Sequence, residues 1–321
     1  MPVDPVLASY GDLAYGTALV LYLLAMALHA VEYATGPRRV VAARAAQGDG
    51  VQGGGAVATL APPDSEPGPR SRPERIGRSA VALTVLAALV HGCSLVLRGS
   101  AAGRVPWGNM YEFTSAICFV AVLAWLLVLY RQRDSAPALR RLGAFVLLPV
   151  VVLLFLGGTV LYAEAAPLIP ALNSYWIAIH VSAAASATGI LLVSGVASML
   201  YLVRKRAGPA ARIAAALPGS DTLDRVAYRT AVIAFPIWTF GVLTGAIWAE
   251  AAWGRYWGWD PKETVALVAW VVYAGYLHAR ATAGWRGSPA AWINVVGFAV
   301  MLFNLFFVNI VIAGLHSYAG L

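Results

Sequence analysis

The sequence predicts an all-α, polytopic integral membrane protein with about eight transmembrane helices and both termini outside. Of the 321 residues, 60% are hydrophobic and only 12% are charged, which is about half the charged fraction of a soluble domain. Several apolar stretches exceed the roughly 18 residues that indicate a membrane span. The basic residues are confined to alternate loops, as they are in proteins whose positive loops face the cytoplasm. A large soluble domain is therefore not expected.

The apolar segments divide the chain into eight helices, each long enough, or nearly so, to cross about 30 Å of hydrocarbon at 1.5 Å per residue. We expect helices at residues 12–33, 78–98, 110–130, 142–163, 175–203, 227–249, 263–281 and 291–314. The first helix forms a unit of its own, residues 1–35. Residues 36–77 are rich in Gly, Ala, Pro and Arg, which predicts a flexible basic cytoplasmic linker. Residues 78–321 then form one seven-helix domain.

The distribution of Lys and Arg predicts the orientation of these helices. Nineteen of the 23 basic residues lie in the loops after helices 1, 3, 5 and 7, and these loops are therefore placed in the cytoplasm. Both termini and the loops 99–109, 164–174 and 250–262 are placed outside the cell membrane. The net charge of +8 thus faces anionic lipid, and we expect no nucleic-acid partner. Cys93 and Cys118 lie in apolar spans, so no disulfide is expected.

The outer loop at residues 248–264 holds four of the eleven tryptophans within twelve residues. Tryptophan favours membrane interfaces, but an interfacial belt needs no glycines between the rings. Here glycines separate Trp253, Trp257 and Trp259 and let the backbone approach a flat ligand. Asp260 follows as the expected N-cap of the seventh helix, with a proline and a glutamate in its first turn. This pattern predicts an aromatic platform for a large planar ligand, of which heme is the best candidate. Either Arg255 or Lys262 can meet the carboxylates of such a ligand.

Histidine supplies the usual iron ligand for heme. His180 lies early in the fifth helix and His316 follows the eighth, so the topology places both at the outer surface with the tryptophan loop. We expect them to ligate heme b from its two sides. His278 and His29 lie near the inner ends of their helices and can hold a second heme. His91 does not match their depth, and for His29 and His91 a role in helix packing is the simpler interpretation.

The motif Trp253-Gly-Arg-Tyr-Trp257-Gly-Trp259-Asp260-Pro-Lys-Glu resembles the WWD motif of heme-handling proteins. With Pro106-Trp-Gly-Asn-Met-Tyr-Glu112, His180 and Gly-Leu-His316-Ser-Tyr, the chain from about residue 78 resembles the CcsA (ResC) family of cytochrome c biogenesis proteins, called CcsB in some bacteria. The resemblance implies that His180 and His316 are external axial ligands. It implies that His278 ligates a transmembrane heme with a histidine of a CcsB/ResB-type partner, which makes a pairing with His29 unnecessary.

By this resemblance, the expected function is system II cytochrome c biogenesis. The protein would move heme outward and present it to the CxxCH cysteines of apocytochrome c, as a subunit of a cytochrome c synthase complex. No residue is an evident covalent catalyst. The alternatives are a heme exporter without ligation activity, a membrane electron carrier that binds heme, and a secondary transporter. The sequence shows none of the internal repeats that a secondary transporter predicts.

Overall fold

The computed structural model describes residues 3–35, 71–132, 136–168, 170–206 and 211–316, and among these residues the regular secondary structure is entirely helical, without strands. Eight long helices occupy the eight expected positions. They are α1 (Pro5–Thr35), α2 (Arg72–Ala102), α3 (Met110–Arg131), α4 (Gly143–Thr159), α5 (Tyr175–Lys205), α6 (Ser220–Trp253), α7 (Pro261–Ala281) and α8 (Ser288–Leu305). Short helical turns at Ala136–Leu139, Ala211–Ala216 and Phe307–Ile310 join or extend them. Most of the expected linker, residues 36–70, lies outside the described residues.

Seven of these eight helices are long and apolar enough to cross a membrane, and the chain is a multi-pass membrane protein. The exception is α7, which was expected to be a span. Its first turn carries Lys262 and Glu263, and its body carries Trp270, Tyr273 and His278, which lower its mean hydropathy. Length and composition therefore support seven of the eight expected spans.

Helix α5 forms the centre of the bundle. More than three-quarters of its apolar core, 78%, is buried, against α3 on one side and α6 and α8 on the other. Buried polar contacts fix the α5–α8 packing, because the Asn294 side chain donates to the hydroxyl oxygens of Ser194 at 2.8 Å and Ser198 at 2.7 Å. The pairs α1–α2 and α5–α6 make the most extensive helix contacts.

Several helix boundaries differ from those expected. Helices α1, α2 and α6 begin six or seven residues earlier, at Pro5, Arg72 and Ser220, and several C-terminal ends also differ. Helix α6 continues through Trp253, because the first residue with a positive φ is Gly254, at 70°. Helix α4 ends at Thr159 and not at 163, and the chain beyond it offers backbone oxygens of Ala163 and Ala166 to arginine side chains. The last helix was expected to reach 314. It ends near Ile310, and further on the backbone N–H of Leu315 donates to a carboxylate at 2.7 Å.

Candidate functional site

A large cavity lies at the end of the bundle where α3, α5 and α7 begin and where α6 and α8 end. It has about 1190 Å³ of empty space, part of it open to solvent, and its walls are mostly aromatic and aliphatic. Both His180 and His316 line it. Five tryptophans also contribute to the wall, Trp107, Trp238, Trp248, Trp253 and Trp257.

His180 is held in one orientation by α6. Its Nδ1 lies 2.7 Å from the backbone oxygen of Gly241. A carbonyl oxygen only accepts, so Nδ1 carries the ring proton and Nε2 carries the lone pair. Gly245, one turn further along α6, leaves the space for the imidazole: a Cβ at that position would lie 2.6 Å from Cε1 of His180. Two backbone features of α6 thus fix the tautomer and the place of the ring.

His316 is oriented in a similar way by a carboxylate. Its Nδ1 lies 2.8 Å from Oδ1 of Asp260, which directs the lone pair to Nε2. Asp260 also accepts hydrogen bonds from the backbone N–H groups of Leu315 and Lys262. Burial acts to raise the pKa of Asp260, but the bonds from His316 and two backbone N–H groups outweigh it and lower that pKa to about 2. The carboxylate is therefore ionised throughout the physiological range.

The two imidazoles belong to one cluster of rings. The buried indole of Trp248 stacks on His180, with ring centroids 6.1 Å apart and 8° between the planes. The same indole lies 5.9 Å from His316, and Trp253 lies 5.1 Å from His316 on another side. The structure therefore brings together the two histidines that the topology placed at the same surface.

Hydrogen bonds close the C-terminal end of the tryptophan loop. The expected N-cap is confirmed: Asp260 and Glu263 form a reciprocal capping box at the start of α7. Glu263 Oε2 also accepts the N–H of Gly258 at 2.8 Å. Trp253 and Trp257 line the cavity, whereas Trp259 does not. Its side chain is 68% exposed, and its φ of 56° is rare outside glycine.

The other histidines lie elsewhere. His278 is exposed on α7. His29 is fully buried in α1, where its ring lies edge-on to Trp125 at 5.2 Å. His91 is fully buried in α2 and contacts Ser115 of α3 at 2.9 Å. His29 and His278 thus have different surroundings, and His91 has the contacts of a helix-packing residue.

Trp107, Asn109 and Asn304 also line the cavity, although the sequence did not single them out as site residues. Trp107 is held by a hydrogen bond from its Nε1 to the hydroxyl of Ser182, at 2.9 Å. Asn109 is the N-cap of α3. The signal for these two was the motif at 106–112, whose outer-loop position indicated proximity to the site. Asn304 lies in an apolar helix and had no such signal.

Glu112 organises the loop that carries Trp107. It is 1% exposed and pairs with Arg98 at 3.0 Å and Arg104 at 2.7 Å. It also accepts the backbone N–H of Gly108 at 2.7 Å. This buried network joins α2, α3 and the loop between them.

Replacing Glu112 by glutamine will destabilise the protein, because two largely buried arginines then lose a charged partner. We expect a loss of about 3–5 kcal/mol, the range for breaking a buried ion pair from one side. Thermal unfolding in detergent measures it. The matched control is Glu164→Gln, since Glu164 is exposed in the segment after α4. Equal stability of the two variants would contradict the importance of the network.

The fold and the cavity define a class: a multi-pass helical membrane protein with two oriented histidines in an aromatic cavity. The family described as "Cytochrome C assembly protein" matches residues 107–316, and the chain belongs to this family. It is 35% identical over 262 residues to the cytochrome c biogenesis protein CcsA of Synechococcus sp. (strain CC9902), covering 74% of this chain and 85% of that protein. It is 34% identical over 260 residues to the CcsA protein of Guillardia theta, covering 74% and 84%.

A solved structure has the same fold. The cytochrome c heme lyase CcmF aligns with a TM-score of 0.63 at 19% identity, covering 94% of this chain. The chain spans only 46% of that protein. At this identity the likeness shows the fold alone.

Proposed function

We propose that this protein presents heme for covalent attachment to apocytochrome c, as the heme-handling subunit of a cytochrome c synthase complex. Heme b is here the substrate, held between His180 and His316. One observation carries the proposal: both histidines line the same aromatic cavity, and each has Nδ1 engaged, so that Nε2 carries the lone pair. Metal-ligating histidines usually donate their other ring N–H to a carbonyl or carboxylate in this way. Family membership supports the same function.

The proposed reaction requires the protein to hold and orient the heme rather than to supply a covalent catalyst. In thioether formation, a cysteine thiol adds across a heme vinyl group: sulfur bonds to one vinyl carbon, and a proton is delivered to the other. No protein side chain has to form a covalent intermediate. The role of His180 and His316 is to hold the iron until the CxxCH histidine displaces one of them. The thiols are then next to the vinyl groups, and proximity accelerates the addition.

The proposed membrane, the side on which the cavity lies and the partner subunit follow from the charge pattern and the resemblance. The excess of Lys and Arg in alternate loops supports a cell-membrane protein with this cavity on the extracytoplasmic side. The exposure of His278 on α7 supports its pairing with a histidine of a CcsB/ResB-type partner rather than with the buried His29. An exposed imidazole on a helix of low hydropathy needs a protein partner within the membrane.

Purification together with the partner subunit tests the function. The complex, supplied with heme, should show the absorption spectrum of low-spin bis-histidine iron and should bind a CxxCH-containing apocytochrome peptide. A matched peptide with serines in place of both cysteines controls for the covalent step. Heme binding without any binding of the cysteine peptide would indicate an exporter and contradict presentation. Absence of bound heme at adequate supply would remove the proposed function altogether.

Gly245→Ala should weaken heme binding by displacing the imidazole of His180. The new methyl carbon would meet Cε1 of His180 at 2.6 Å, so the imidazole must move. A displacement of about 1 Å in an active site lowers the reaction rate by up to roughly 100-fold. We expect a comparable effect on binding here, with heme affinity falling by about 10- to 100-fold. Absorbance titration measures it. The control is Gly275→Ala in α7, where an added Cβ meets nothing within 4 Å. Unchanged affinity in Gly245→Ala would show that the orientation of His180 is unimportant.

A further inference from the structure

Lys262 places an amino group in a cavity whose walls are mostly aromatic and aliphatic. It is the second residue of α7, is partly buried, and lines the cavity. Its Nζ donates to the backbone oxygen of Asn304 at 2.8 Å. Among the described residues, no carboxylate lies within ion-pair distance of this ammonium. A partly buried cation without a counter-ion is unfavourable unless a ligand supplies the negative charge.

The neighbouring carboxylates accept hydrogen bonds from groups other than the Lys262 ammonium. Asp260 accepts from His316 and from two backbone N–H groups. Glu263 also lines the cavity, but its Oε2 accepts the N–H groups of Gly258 and Asp260. Neither acidic side chain therefore forms a direct ion pair with Lys262 among the described residues, although the charge of Asp260 acts on it at longer range.

Asn304 supplies an independent sign of a missing polar partner. Its side chain is 3% exposed and lines the same cavity. Its Oδ1 is buried and makes no hydrogen bond within the described residues, although buried polar atoms are nearly always paired. The oxygen and nitrogen of an amide exchange places by a half-turn, so this group can offer an N–H donor to an anion next to Lys262.

Arg255, the other cation of the loop, has a different position. It is exposed, does not line the cavity, and lies over Gly258, where an added Cβ would be 2.1 Å from its Cζ. Of the two cations that the sequence left open, only Lys262 reaches the cavity.

We propose that Lys262 and Asn304 form a carboxylate-binding subsite of this cavity, which binds a propionate of the heme. The inference rests on the proposed function and deepens it. The propionates and the vinyl groups of protoporphyrin IX lie on opposite edges of the ring. Binding one propionate at Lys262 therefore turns the vinyl edge away from this subsite and sets the orientation in which heme is presented.

The test compares two ligands that differ at the propionates, iron protoporphyrin IX and its uncharged dimethyl ester. Both are titrated into the purified wild-type complex, and affinity and spin state are measured by absorbance. We expect the wild type to bind the free acid roughly 10- to 100-fold more tightly than the ester, the usual range for one charge-assisted contact. Lys262→Met should remove this preference, while its affinity for the ester and the low-spin spectrum stay as in the wild type. Asn304→Leu should reduce the preference in the same direction.

Two controls make the result decisive. Arg255→Met removes an exposed cation of the same loop and should keep the full preference. Lys262→Gln serves as a second variant if the methionine variant does not fold. A preference that persists in the Lys262 variants, or equal losses for acid and ester, would overturn this subsite and leave the histidine site standing. Failure of the wild type to bind either ligand with a low-spin spectrum would overturn both.

Discussion

Replacing either His180 or His316 by alanine will abolish assembly of cytochrome c and convert bound heme from low spin to high spin or remove it. The two imidazoles line one cavity, where Gly241 holds His180 and Asp260 holds His316. Because each ring is fixed in its own place, one histidine cannot take over the role of the other. Loss of the residue that hydrogen-bonds a metal ligand already lowers metal affinity or activity by about 10- to 100-fold. Loss of the ligand itself should lower heme affinity at least as much. Absorption spectra of the purified variants and covalent cytochrome c in cells measure the two effects.

Added imidazole separates loss of a ligand from loss of the fold. In each alanine variant, the space left by the side chain should admit free imidazole and restore the low-spin spectrum. His91→Gln is the matched control, because His91 is a fully buried histidine outside the cavity. It should keep the wild-type spectrum. Normal levels of covalent cytochrome c in His180→Ala and His316→Ala would refute the proposed site.

The sequence predicted the helices well, because a membrane span needs a long apolar segment and little else determines where one occurs. It predicted their ends less well. Trp253 looked like a loop residue, but α6 continues to Gly254, where the backbone first takes a positive φ. Beyond the end of α8, the backbone N–H of Leu315 donates to Asp260, which lies 55 residues earlier in the chain. The hydrophobic pattern of the last helix gives no sign of this contact.

The candidate site could be predicted only in part, for a similar reason. Alternation of spans brings His180 and His316 to the same end of the bundle, and the sequence Asp-Pro-Lys-Glu predicts the capping role of Asp260. The contact between Asp260 and His316 joins positions 56 residues apart and required the structure. Trp259 belongs to the same motif as Trp257, yet its backbone turns it out of the cavity. Membership of a motif did not fix the direction of each side chain.

Asp260→Asn should weaken heme binding while leaving α7 in place. Asparagine caps a helix about as well as aspartate, so the hydrogen bond to Lys262 can be kept. The charge that orients His316 and makes it a stronger ligand is lost, and we expect about 10- to 100-fold lower affinity. Asp260→Ala removes the cap as well and should cost roughly a further 1 kcal/mol of stability. Heme titration and thermal unfolding of the two variants separate the two roles.

The pH dependence gives this prediction a second, independent readout. The pKa of Asp260 is lowered from 3.8 to about 2 in the folded protein, so its carboxylate stabilises the fold fully above pH 4. That contribution falls as the pH drops from about 4 through 2. The difference in unfolding temperature between the wild type and Asp260→Asn should therefore be constant from pH 5 to 8 and should shrink only below pH 4. A difference that vanished between pH 5 and 7 would mean that the pKa of Asp260 is raised in the folded protein, which would contradict the hydrogen bonds assigned to its carboxylate.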